Sequence, residues 1–201
     1  MCIGLLGTKI GITQIFSEKG NLIPITIIKC GPCYITQIKE VDTCGYSAIQ
    51  VGYLEIVKKT NKLHNKGLKK FHFLKEYKLE NVLNYTVNQQ IDTSIFKESQ
   101  YVNISSVSIG KGYAGNIKRN HFTRGPMSHG SKHHRLQGSI GSGTTPGRVF
   151  PGKKMSGHLG SKKITIKNLE IINIYGSENI ITVKGSIAGK KGSLVNIKNK
   201  I

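Results

Sequence analysis

Apolar and polar positions alternate with a period of two in several short runs of this chain. Ile23, Ile25 and Ile27 interleave with Pro24, Thr26 and Ile28; Tyr34, Thr36 and Ile38 form a second run; Ile49, Val51 and Tyr53 a third, after a break at Cys44-Gly45. That period places one side of each run against a core and predicts strands. Gly31-Pro32 separates the first two runs and reads as the turn of a hairpin. Strands are also expected around Val102, Ile104 and Val107, at Ile164 and Ile166, at 171–174, at 180–183 after the turn Gly176-Ser177-Glu178-Asn179, and at 194–197. No internal repeat is present. The economical architecture is mainly β: a small antiparallel β-barrel or sandwich interrupted by one long loop. Residues 1–108 form its first part, with a Lys-rich loop at about 56–80; residues 109–163 are a basic extension; and residues 164–201 complete the barrel. Loops of that length inside a compact domain are functional or disordered.

Charge changes the picture most. The chain has 201 residues and a formal charge of +20. Between Ser99 and Leu169 it has no Asp or Glu, yet it carries all four arginines and many lysines. Uncompensated cations repel one another, and a dense array of phosphates relieves that repulsion while releasing condensed counterions. The stretch is rich in Gly and poor in large apolar residues, so it buries too little surface on its own to offset its ordering entropy. Nucleic acid is the favoured partner, since a membrane-binding helix needs a periodic apolar face that is missing here. The candidate RNA-binding residues are Lys111, Lys118, Arg119, His121, Arg124, His129, Lys132, His133, His134, Arg135, Arg148, Lys153, Lys154, Lys162 and Lys163. Arginines suit planar contacts to phosphates or base edges, lysines neutralise phosphates, and imidazoles stack or donate to phosphates and 2′-hydroxyls. Tyr113, Phe122 and Phe150 lie among these cations, as base-stacking platforms or as local anchors. Pro126, Pro146 and Pro151 limit the conformations lost on ordering.

Several motifs point elsewhere. Cys30-Gly31-Pro32-Cys33 spells the dithiol of thioredoxin-like enzymes, but that chemistry needs the first Cys at a helix N-terminus, and the residues that follow alternate like a strand. Gly110-Lys111-Gly112-Tyr113-Ala114-Gly115 fits GxGxxG without the acidic residue about twenty positions on that a dinucleotide site requires. His129 and His133 are spaced as on a helix, yet Gly130 and Ser131 between them form helices poorly and no carboxylate is near to orient them on a metal. No hydrolase triad assembles and no GxSxG occurs. Neither a cofactor, a metal nor a small-molecule substrate is expected. The start of the chain lacks the features of a signal or transit peptide, so the protein is expected to work where it is made, with its cysteines reduced.

The segments GTKIGITQIF (residues 7–16) and RGPMSHGSKHHRLQGSIGSGTTPGRVFPGKKMSGHLG (residues 124–160) resemble the universal L-three family of large-subunit ribosomal proteins in its bacterial form. SIGKGYAGNIKRNHFTRG (108–125) and KKITIKNLEIINI (162–174) extend the likeness, which runs nearly end to end and is loosest over 55–100. The resemblance implies a translation-protein β-barrel with an extension threading through large-subunit rRNA towards the peptidyl-transferase region. It also implies an early role in subunit assembly, no enzymatic activity, and neighbours of the L-fourteen and L-nineteen types. Many bacterial members carry a glutamine, often methylated, where this chain has Thr144, so that modification is not expected. Cys30 stands where the family commonly has a small residue.

Lys greatly outnumbers Arg, and Ile and Asn are abundant, as under AT-rich coding. With the wording GSGTTPGRVFPGKKM, which resembles plastid versions of algal type, this points to an organelle-encoded plastid ribosomal protein, with a bacterial cytoplasm as the alternative. Two rival functions follow from the residues alone: a redox protein using Cys30 and Cys33, and a nonspecific DNA-binding protein.

Overall fold

A computed structural model describes residues 3–56 and 70–200. The strands in chain order are β1 (Gly4–Phe16), β2 (Leu22–Cys30), β3 (Cys33–Lys39), β4 (Ala48–Glu55), β5 (Phe71–Lys78), β6 (Gln90–Ile91), β7 (Tyr101–Val107), β8 (Tyr113–Ala114), β9 (Gly157–His158), β10 (Lys163–Tyr175), β11 (Ile180–Lys184) and β12 (Leu194–Asn199). Among the described residues, helix is confined to α1 (Val41–Cys44), α2 (Asn116–Asn120) and a 3-10 turn at Thr93–Ile95. The mainly β expectation therefore holds.

Six strands pair antiparallel in the closed order β1-β12-β7-β10-β11-β2, a barrel without a free edge. Its interior is built from alternate residues: Val102 and Ile104 of β7, Val195 and Ile197 of β12, Ile181 and Val183 of β11, and Ile171 of β10 are all fully buried. In β10 the apolar phase breaks between Ile166 and Leu169, where the ladder to β7 shifts register. Asn168 takes a left-handed φ of 56° at that point, a conformation Asn tolerates. The bulge returns Leu169 and Ile171 to the inner face.

A second sheet has the order β5-β4-β3-β6. It corrects the hairpin expected over 23–38. β2 pairs with β1 and β11, and β3 pairs with β4 and β6, so Gly31-Pro32 is a corner at which the chain leaves the barrel for the second sheet. Alternation specifies strands but not partners, which is why the two runs looked like a hairpin. β5 also corrects part of the Lys-rich loop placed at about 56–80. Residues 71–78 are a strand in which Tyr77 is buried, Phe71 and Lys75 are half-buried, and His72, Phe73, Leu74, Glu76 and Lys78 are exposed. The lysines at 58–69 lie outside the described residues.

Two tyrosines join sheet to barrel. The Tyr53 hydroxyl on β4 donates to the Lys29 carbonyl (3.1 Å) and lies 2.6 Å from Thr8 Oγ1. The Tyr77 hydroxyl on β5 donates to Asn196 Oδ1 on β12. The Tyr77 ring fits over Gly4, where any Cβ would collide with it. Lys9, buried at the β1 bulge, donates from Nζ to the carbonyls of Ile187 (2.7 Å) and Gly189 (3.0 Å), and so holds the loop between β11 and β12.

The chain forms two compact units. One contains the barrel and second sheet, up to Ser108 and from Lys163 onward; the other is Ile109–Lys162. Val107 and Lys163, the last and first strand residues around the second unit, are direct partners in the β7/β10 ladder.

Candidate nucleic-acid interface

The unit at 109–162 has almost no core of its own. Large apolar side chains elsewhere in the chain fill the barrel, whereas here only Ala114 and Asn116 are buried. Main-chain bonds hold its base. The Lys111 N–H donates to the Leu159 carbonyl (2.8 Å) and the Leu159 N–H to the Gly112 carbonyl (2.9 Å), and β8 pairs with β9 beyond them. Gly160, with φ of +82°, lies so close to the Ile109 carbonyl that no Cβ fits. The glycines of the GxGxxG stretch thus serve a two-stranded stem, followed by a five-residue helix, and no βαβ unit is formed.

α2 is tied to the returning chain through polar side chains. Arg119 Nη1 donates to the Met155 carbonyl at 2.6 Å, Asn120 Nδ2 donates to the same oxygen at 3.0 Å, and Asn116 Nδ2 reaches the Lys154 carbonyl at 3.3 Å. His121 ends the helix in a left-handed conformation, φ 59°. Beyond it the chain folds back at Gly125, whose N–H donates to the His134 carbonyl (3.0 Å). His134 Nδ1 donates to the Pro126 carbonyl at 2.8 Å, and since a carbonyl only accepts, Nδ1 carries the proton.

The remaining candidate cations point into solvent. Lys111, Lys118, His121, Arg124, His129, Lys132, His133, Arg135, Arg148, Lys153, Lys154, Lys162 and Lys163 are exposed, while Arg119 and His134 are half-buried through the bonds just described. Every residue from 138 to 154 is exposed. Tyr113 and Phe150 present their rings, 78% and 57% exposed, with the Tyr113 hydroxyl fixed 2.7 Å from Ser156 Oγ; Phe122 is half-buried. Six lysines and four arginines share these 54 residues with no carboxylate, so no ion pair can form within the unit. Exposed cations, two presented rings and accessible glycine backbone form a surface matched to a folded polyanion with bases.

A family model described as ribosomal protein L3 matches residues 57–179. The chain belongs to the ribosomal protein L3 family. The large ribosomal subunit protein uL3c of Porphyra purpurea is 53% identical over 203 residues, which cover 98% of this chain and 99% of that protein. The uL3c protein of Phaeodactylum tricornutum is 51% identical over 98% of both chains. The large ribosomal subunit protein uL3 of Nostoc punctiforme is 50% identical over 98% of this chain and 97% of its own.

In this L3-family chain the Cys30-Gly31-Pro32-Cys33 motif runs from the end of β2 to the start of β3, with no helix to lower a thiol pKa. Both thiols are fully buried; Cys33 Sγ donates to the Leu6 carbonyl at 3.5 Å, and Cys30 Sγ to the Ile28 carbonyl. Burial pushes the Cys30 thiol well up and that of Cys33 to about 11, the opposite of activation. Among the described residues no three His, Cys, Asp or Glu side chains converge as a metal site, and no helix is long and apolar enough to cross a membrane. Sequence reasoning missed the anchors Lys9, Tyr53 and Tyr77. The available signal for the first was a lone lysine in the otherwise uncharged, largely apolar run from Ile3 to Phe16.

Proposed function

We infer that this chain is a structural component of the large subunit of a plastid ribosome, and that residues 109–162 bind large-subunit rRNA. The observation that carries this reading is a 54-residue unit with ten exposed or half-buried cations, no acid and almost no core. In an L3-family chain the counterion of such a unit is the phosphate backbone of rRNA. The barrel is the anchor, and the unit at 109–162 is the part that enters RNA and supports the peptidyl-transferase region. Its role is structural, without catalysis. It joins the subunit early in assembly, beside proteins of the L-fourteen and L-nineteen types. The algal uL3c relatives support the plastid assignment.

Binding of the full chain to large-subunit rRNA across a salt series tests the reading. With about ten cations engaged, the slope of log affinity against log salt is expected near −7 to −9. A slope near zero overturns it. Excision of 109–162 gives an independent arm: because Val107 and Lys163 already face each other in the ladder, a short turn rejoins them, and the shortened chain should keep its β circular dichroism yet fail to co-sediment with large subunits. Normal incorporation of that variant contradicts the division of labour.

A further inference from the structure

On the barrel unit three lysines converge, among them Lys163, which the sequence reading put at the end of the basic extension and the structure puts at the start of β10. Lys75 of β5, Lys163 of β10 and Lys198 of β12 line a depression of about 370 Å³ on the outer face of the barrel. Its floor is polar: Ser105 and Asn103 of β7, Thr165 of β10, and Asn196 of β12, with the Ser105 and Thr165 hydroxyls 2.8 Å apart. The pairing explains the convergence. Lys163 and Thr165 stand on β10 beside β7, and Asn196 and Lys198 stand on β12 on its other side, so residues from three adjacent strands share one face, walled by β5 through the Tyr77–Asn196 bond.

We propose that this depression is a second phosphate seat, on the barrel unit itself, that holds the RNA backbone with three ammonium groups above a floor of hydroxyls and amides. The inference rests on the rRNA-binding reading for the source of the phosphate. Charge supports it: among the described residues the one carboxylate lining the depression, Glu76, is already engaged by Lys39 Nζ (2.6 Å) and the Tyr46 hydroxyl (3.1 Å). Lys198 Nζ lies over the Tyr77 ring, 5.2 Å from its centre, and is partly withdrawn from water. Its pKa is lowered by that burial and by the neighbouring Lys75 and Lys163, a repulsion a bound phosphate would reverse. The mixture of lysines with neutral donors and acceptors suits a phosphodiester and its 2′-hydroxyls better than a lone protein carboxylate. Lys163 directly follows the unit at 109–162, so one continuous stretch of chain would pass from one set of phosphate contacts to the other.

Acylation of lysines by an amine-reactive ester, read residue by residue by mass spectrometry, tests this on the full chain alone and on the full chain bound to purified large-subunit rRNA. Lys75, Lys163 and Lys198 are expected to lose most of their reactivity on binding, while the exposed Lys19 and Lys97 retain theirs. The triple variant Lys75→Gln, Lys163→Gln, Lys198→Gln should make the salt slope shallower by about 2 to 3, and the matching arginine variant should restore it, which separates charge from folding. If the three lysines stay reactive while Lys118, Lys132 and Lys154 are protected, the seat is refuted and the extension reading stands. If neither set is protected, the rRNA reading falls and the seat with it. Protection that appears only after other subunit proteins are added also refutes the seat, because a protein then covers it.

Discussion

Arg119 donates from Nη1 to the main-chain carbonyl of Met155, 2.6 Å away, so one of the four arginines of the basic unit holds that unit together. The remaining guanidinium donors stay available to a phosphate. Arg119→Met should therefore act first on the stem. A hydrogen bond from a charged donor contributes about 1.5–3 kcal/mol, which predicts amide exchange roughly ten- to hundredfold faster at Lys111 and Leu159. Hydrogen exchange by NMR or mass spectrometry reads this directly, with core amides such as Ile104 and Ile197 unaffected.

The two tyrosines between sheet and barrel make a second prediction. Tyr77→Phe leaves Asn196 Oδ1 buried without its donor, and Tyr53→Phe strips a partner from both Thr8 and the Lys29 carbonyl. Each should lower stability by about 1–3 kcal/mol, since an orphaned buried acceptor keeps its full desolvation cost. Urea unfolding should show a lower midpoint with the slope unchanged.

Alkaline pH should weaken the fold through its cysteines. A free thiol ionises near 9, whereas Cys33 is held up to about 11 by burial. The folded state keeps a proton that the unfolded chain gives up, so the stabilisation is complete below pH 9 and is lost as pH climbs towards 11, roughly 2–3 kcal/mol in all. Unfolding free energies at pH 8, 9.5 and 11, compared with Cys33→Ser, measure it. At pH 8 iodoacetamide should modify the exposed Cys44 and spare Cys30 and Cys33, and insulin reduction should not be accelerated.

Lys9 is the test of a buried charge. Its ammonium serves the Ile187 and Gly189 carbonyls, and Lys9→Met would bury those acceptors beside a methyl group. The loss should be about 1.5–3 kcal/mol. Lys9→Arg is expected to be little better, because a planar fork does not match a site shaped for a compact ammonium. Thermal melts of both variants decide between charge and shape.

Strand content was readable from alternation: Ile49, Val51 and Tyr53 lie in β4, Val102 and Ile104 in β7, and Ile181 and Val183 in β11. Pairing was not, because a period of two says which face is buried and nothing of the neighbour. Gly31-Pro32 looked like a hairpin turn for that reason and proved to be a corner between sheets. β5 escaped because His72, Lys75, Glu76 and Lys78 mask its apolar positions with charge. The acid-free stretch was visible as composition, since charge counting needs no geometry. What composition could not reveal is that Arg119 and His134 turn inward to bond the main chain, a role set by where Met155 and Pro126 come to lie in three dimensions.

The facing of Val107 and Lys163 across the β7/β10 ladder has a consequence for how such a chain can change over time. The barrel closes the ends of the intervening segment through its own hydrogen bonds, so the segment's length hardly enters the barrel's stability; a doubling of a flexible loop costs only about 0.6 kcal/mol in closure entropy. Insertions and deletions within 109–162 are then free to follow whatever surrounds the segment, while the strands on either side stay in register.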